Sequence, residues 1–149
     1  MSIDPVSRPS PIPLKVAVVE SDPAHAELTA LALEREGHEV RCAIDDTGLG
    51  EILEVFDADV IVSEWMLGRS DGRAVLRRAA AEERRRARGL PVVFVTGEEP
   101  ETVHAASGSR RPVVSKPLRL ETLREAVRVA VGAGVLAPEH ERNVPLRGK

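Results

Sequence analysis

Tyrosine is absent from this chain of 149 residues, and aromatic side chains make up only 2% of it. A core so short of rings must be filled by Val, Leu, Ile and Ala, and the scarcity argues against a stacking platform for single-stranded nucleic acid. Cysteine is scarcer still. With Cys42 alone, neither an internal disulfide nor a cysteine-based metal site is available, and its place in a predicted strand reads as a buried thiol. Excess charge is missing too. A net charge of −3 supplies no general pull toward nucleic acid or an anionic membrane. The N-terminal MSIDPVSRPSPIP has no apolar leader core, and no later run is long enough to span a bilayer, which reads as a cytoplasmic protein.

What is present is alternation. Residues 1–13, rich in Pro and Ser, read as an extended arm, 14–133 as one domain, and 134–149 as a polar tail. Lys15–Val19 is a short β-branched run of the kind that forms a buried parallel strand. Asp22-Pro23 supplies a helix start, and the helix runs through Leu28, Leu31 and Ala32 on a shared face toward a stop at Gly37. Further strands are expected at 38–43, 58–63, 91–95 and 112–115. The helices between them are expected from Asp45-Asp46-Thr47 through Phe56, over 73–88 with Gly89 as stop, over 99–106, and over 120–131. Residues 68–72 read as a loop.

Five strands alternating with five helices imply a doubly wound α/β fold with one five-stranded parallel sheet. Ligands of such sheets sit at the carboxyl ends of the strands, at the switch in strand order. The residues there are Glu20-Ser21-Asp22, Glu64-Trp65-Met66, Thr96-Gly97 and Lys116-Pro117. Carboxylates converging in this way suit a divalent cation, and a hydroxyl with an ammonium suits phosphate oxygens. A structural salt bridge at the end of the sheet is the competing reading.

The segments VVESDPAHAEL, ADVIVSEWMLGRSDG, LPVVFVTGEE and RPVVSKPL occur in that order. Together they resemble the strand ends of response regulator receiver domains, the CheY-like variety of the flavodoxin-like fold. The resemblance spans roughly residues 14–133 and implies a two-component signalling role. It places Glu64 at the phosphoacceptor position, Thr96 and Lys116 as the switch hydroxyl and the phosphate-site lysine, and Val113 at the switch aromatic position. Glu20, Ser21 and Asp22, with the carbonyl of Met66, fall at the magnesium side.

Three departures follow from the residues at those positions. Glu64 replaces the aspartate that accepts phosphate, and its extra methylene pushes the carboxylate out by about 1.5 Å, spoiling the alignment phosphoryl transfer needs. Ser21 replaces a metal-ligating acid, which weakens Mg²⁺ binding or removes it. Val113 lacks the ring that swings inward on activation. The resemblance therefore implies an atypical receiver, a pseudo-receiver, that stands alone and acts by protein contact. Its partners would be a histidine kinase, a phosphotransfer protein or another regulator, with homodimerisation through the fourth-helix, fifth-strand and fifth-helix face as a further expectation. Arg124 and Arg128 are expected on the exposed side there.

The alternatives keep Glu64 as a built-in phosphomimic paired with Lys116, or move phosphorylation to a nearby acid such as Asp22, whose other role is an N-cap. A phosphotransferase or hydrolase with an aspartyl nucleophile would need a second acid where Met66 stands, so no enzyme is expected. The run Glu82-Glu83-Arg84-Arg85-Arg86-Ala87-Arg88 reads as a solvated helix end, its arginines suiting the helix dipole, and not as a nucleic-acid contact. Trp65 reads as loop packing, and the four histidines show no zinc spacing.

Overall fold

The computed structural model describes residues 12–134, so most of the expected arm (1–13) and tail (134–149) lies outside the described residues. The strands are β1 (Lys15–Val19), β2 (Glu39–Ala43), β3 (Val60–Ser63), β4 (Met66–Leu67), β5 (Ser70–Asp71), β6 (Val92–Thr96) and β7 (Val113–Ser115). The helices are α1 (Pro23–Glu34), α2 (Asp46–Val55), α3 (Gly72–Arg86), α4 (Pro100–Ser107) and α5 (Leu120–Gly134). Five strands form one parallel sheet in the order β2-β1-β3-β6-β7. The expected doubly wound α/β architecture is therefore what the chain adopts. The loop expected at 68–72 is instead the turn, with Gly68 at φ 73°, and the second strand of a small antiparallel ribbon, β4 with β5, and its last residue, Gly72, opens α3.

Strand alternation sorts the apolar side chains into two cores. Val16 and Val18, Val60 and Val62, and Val93 and Val95 face one side, where Leu33 of α1 and Leu123 and Val127 of α5 cover them. Ala17, Val19, Ile61, Val92 and Phe94 face the other, under Leu49 and Leu53 of α2, Val75 and Ala79 of α3, and Val103 of α4. A strand buried on both faces needs apolar residues throughout, which is why β1, β3 and β6 read as near-continuous Val and Ile.

The helix starts follow their sequence signals. Asp22, Asp45 and Asp71 accept from the N–H groups of Ala24, Gly48 and Arg73, each at 2.9 Å. Asp22 thus takes the N-cap role weighed for it. The stop of α3 comes earlier than Gly89, at Ala87, which holds a left-handed φ of 53°.

Four expectations need correction. Leu28 and Leu31 are 52% and 44% exposed, and the buried ridge of α1 is Thr29 and Leu33. The helix is rotated so that its Ala- and Thr-bearing side meets the sheet. Cys42 is exposed, because β2 is an edge strand whose side chains are mostly at the surface. Partial burial and the charge of Glu34 nevertheless push its thiol pKa up. The end of α3 is not simply solvated: Glu82 and Glu83 are buried, and Glu83 accepts from the Leu90 N–H at 2.7 Å. Arg86 reaches Asp57 and the Ala58 carbonyl, each at 2.7 Å. Arg124, finally, is half-buried and tied to Glu36 at 2.9 Å, while Arg128 is exposed and pairs with Glu125.

Candidate functional site

The sheet ladder runs one residue past its strands at the carboxyl edge. Glu20 N–H donates to Ala43 O, Glu64 N–H to Val19 O, and Lys116 N–H to Thr96 O, each at 2.9 Å. These bonds fix the backbone of Glu20, Glu64 and Lys116, so two carboxylates and an ammonium project from the ends of β1, β3 and β7 into one crevice. Thr96, the last residue of β6, adds a hydroxyl from a position 1% exposed. The crevice lies where the order switches, between β1 and β3.

Lys116 is the hub. Its Nζ lies 2.7 Å from Glu64 Oε1, 3.2 Å from Glu20 Oε1 and 3.1 Å from His25 Nδ1. An ammonium only donates, so in this contact His25 Nδ1 is the acceptor. Asp22 Oδ2, 3.5 Å from the same Nδ1, is then a neighbour and not a bonding partner. The other oxygen of Glu64 accepts from two backbone amides, Trp65 N–H at 2.6 Å and Met66 N–H at 3.1 Å.

Burial pushes the Glu64 carboxyl pKa up, but hydrogen bonds from Lys116, Thr96 and the Met66 amide, with the charge of Lys116, outweigh it and hold the group below its ordinary value. Burial likewise works against the charge on Lys116, and its bond and attraction to Glu64, helped by Glu20, raise its pKa above the ordinary value. Both groups are charged at neutral pH. Donors from Lys116, Thr96 and two amides make an anion cradle, and the Glu64 carboxylate fills it.

The magnesium side is differently arranged. Both oxygens of Glu20 are engaged, one by Lys116 and the other by the Asp22 N–H at 3.0 Å. Asp22 caps α1 and Ser21 is exposed. Among the described residues, no group of three His, Cys, Asp or Glu side chains gathers in a way that would hold a metal ion. The residues present do not fit a magnesium site of the receiver kind without releasing Lys116 from Glu20.

Trp65 does not overhang the crevice. It is buried, with its ring edge-on to Phe94 at 5.1 Å between centroids. Gly72 makes room for this pair: a Cβ there would lie 2.3 Å from Trp65 Cε3 and 2.5 Å from Phe94 Cε1. Val113 is half-buried against the same core, in register with Phe94. Asp59, part of the segment carrying the resemblance, lies at the opposite edge, where it accepts from the Lys15 N–H at 2.7 Å. His25 was not singled out from the sequence. The signal available was its place one turn into a helix that starts at the crevice, three residues after Asp22.

The response regulator receiver domain matches residues 16–128 of this chain. The chain belongs to that family, whose members are signalling modules of two-component systems. Two curated relatives are the DNA-binding dual master transcriptional regulator RpaA of Synechocystis, 27% identical over 117 residues, and the regulatory protein VirG of Agrobacterium tumefaciens, 28% identical over 123 residues. The alignments cover 76% and 80% of this chain but only 47% and 44% of those proteins. The chain therefore spans less than half the length of the curated relatives it matches. Among solved structures, the chemotaxis response regulator CheY4 of Vibrio cholerae superposes with a TM-score of 0.67 at 21% identity, covering 80% of this chain and 99% of that one. The receiver domain of a sensor histidine kinase from Pseudomonas aeruginosa, solved with magnesium in its active-site cleft, gives 0.68 at 19% identity, with 81% and 99% covered. These likenesses carry the fold. No helix among the described residues is long and apolar enough to cross a membrane.

Proposed function

We propose that this chain is a pseudo-receiver: a non-enzymatic signalling domain that is not phosphorylated at the usual position and acts through contact with another protein. A histidine kinase, a phosphotransfer protein or another regulator is the partner class, and nucleic acid and membrane are not. The observation that supports this most directly is the 2.7 Å contact of Glu64 with Lys116, with the second carboxylate oxygen on the Trp65 and Met66 amides. An incoming phosphoryl group would need those same donors, and Glu64 occupies them with a charge of its own. Magnesium is at most weakly bound, because Ser21 offers no carboxylate and Glu20 is engaged by Lys116.

The same contacts favour a second reading, in which Glu64 biases the domain toward the phosphorylated conformation. A lone carboxylate has about half the charge of a phosphoryl group, so such a bias is partial. Val113, with no ring to move, weighs against it.

Incubation with a small phosphodonor and Mg²⁺, followed by intact-mass measurement, tests the first reading. The expected result is an unmodified wild-type chain beside a Glu64→Asp/Ser21→Asp variant that gains a phosphoryl adduct of about 80 Da. An adduct on the wild type overturns the proposal and moves phosphate chemistry to another acid, with Asp22 the first to examine. For the second reading, Glu64→Gln is followed by amide exchange around Thr96; unchanged exchange removes it.

A further inference from the structure

The sequence of α3 alternates acids with bases toward its end, but its surface does not. Glu82 and Glu83 both turn inward, and Glu83 is 0% exposed. The exposed side chains of α3 are Arg73, Arg77, Arg78, Arg84 and Arg85, with Ala81 between the two groups. A helix face kept merely wet would show both signs, as α5 does with Glu125 beside Arg128. Three of these arginines have carboxylates of their own: Arg73 holds Asp71 at 2.8 Å, Arg78 lies 3.7 Å from Asp46, and Arg85 binds Glu82. Arg77 and Arg84 have no ion-pair partner within 4.0 Å among the described residues.

Arg77 and Arg84 are seven residues apart, which is about 10.5 Å along the helix axis on one side. Between them Ala80, half-buried, and Ala81, exposed, stand low, so an approaching backbone meets no bulk there. Guanidinium forks bind carboxylates in two-point fashion, and the neighbouring arginines already do so within the chain. Carboxylates matching this span occur seven residues apart on a helix, or three apart on an extended strand at about 3.3 Å per residue. We propose that the exposed face of α3 is a docking surface for an acidic segment of a partner protein, its carboxylates held by Arg77 and Arg84. Charge complementarity commits the occupant. Nucleic acid fits less well, because the chain as a whole is negative, Phe56, Trp65 and Phe94 are all buried and offer no stacking face, and three arginines of this face already engage carboxylates. The surface is separate from the Glu64 crevice, so the reading of that crevice does not bear on it.

The test uses the full chain and a fluorescent helical peptide with glutamates seven residues apart, titrated by anisotropy at about 0.15 M salt, where long-range attraction is screened. A peptide of equal charge with shuffled glutamates and a DNA duplex are run beside it. Arg77→Glu/Arg84→Glu removes two exposed pairs and adds two repulsions, so it should weaken the peptide about ten-fold. Arg35→Glu/Arg119→Glu, the same charge change at other exposed arginines, should alter it less than about two-fold. Circular dichroism confirms that both variants fold. Equal weakening by the two variants, equal binding of the shuffled peptide, or no binding to the wild type overturns the proposal. Tighter binding of the duplex, lost in Arg77→Glu/Arg84→Glu, replaces the acidic segment with nucleic acid. Self-association lost in that variant by sedimentation makes the occupant a second copy, and overturns it equally.

Discussion

Replacing Glu64 with glutamine tests the electrostatic account of the crevice, because it keeps the shape and removes one acceptor. Glu64 accepts on both oxygens: Oε1 from Lys116 at 2.7 Å, Oε2 from the Trp65 and Met66 amides at 2.6 and 3.1 Å. Glutamine has one oxygen and one NH₂. If its oxygen stays on the amides, the NH₂ faces an ammonium, and if it flips, two amides lose their acceptor. A hydrogen bond to a charged group contributes about 1.5–3 kcal/mol. Part of that is offset, because a neutral amide costs less to bury and Glu20 stays 3.2 Å from Lys116. The net loss is about 1–2 kcal/mol, equivalent to roughly 3–10 °C in Tm for a domain of this size. Urea titration followed by circular dichroism gives ΔG at each pH. The Glu64 pKa is lowered on folding from its ordinary 4.5, so its contribution is fully present above that value and is lost as pH falls through the folded pKa. The gap between wild type and Glu64→Gln should therefore be full at pH 7 and close in acid. A gap under about 0.5 kcal/mol at pH 7, or one that stays constant into acid, would refute the reasoning.

Lys116→Met removes the ammonium that holds the Glu64 carboxyl low while Glu20 and the burial remain, so the folded Glu64 pKa rises. A carboxylate with a raised pKa loses stability as pH rises, so this variant should weaken as pH climbs from about 4.5 toward 7, where the wild-type Glu64 contribution is already complete. Gly72→Ala drives a methyl into Trp65 and Phe94 and should cost about 1–3 kcal/mol by denaturant melt, with the Trp65 emission shifted red. Ala87→Gly relieves a left-handed alanine at φ 53° and should stabilise the chain by up to about 1 kcal/mol, measured in the same way. Cys42, exposed but with its thiol pKa raised, should react completely with a disulfide reagent in the native state, more slowly than a free thiol at pH 8 and without unfolding.

All five strands of the sheet were legible from sequence, and the plainest were those with no choice of face. β1, β3 and β6 are buried on both sides, and their near-continuous apolar runs, mostly Val, mark them without knowledge of neighbours. Glu20 and Glu64 could be picked out as candidates for a related reason, since each stands immediately after such a run, where the parallel sheet opens. What escaped depended on contacts distant in sequence. Cys42 seemed buried because a strand was assumed central, and strand order alone makes β2 an edge. The α1 face was misread because Leu28 and Leu31 outrank Thr29 in hydrophobicity, while the sheet takes the narrower side of the helix. His25 meets Lys116 across 91 residues, and no local pattern records that. The β4–β5 ribbon has two residues per strand, too few for any period to show.

The inward turn of Glu82 and Glu83 also leaves the exposed face of α3 with charge of one sign. A pI near 5.8 describes the sum of its charges, whereas a resin meets one side at a time. At neutral pH the chain will be retained on an anion exchanger through its acidic remainder. On a cation exchanger of low ionic strength it will be slowed by α3, although its net sign predicts repulsion.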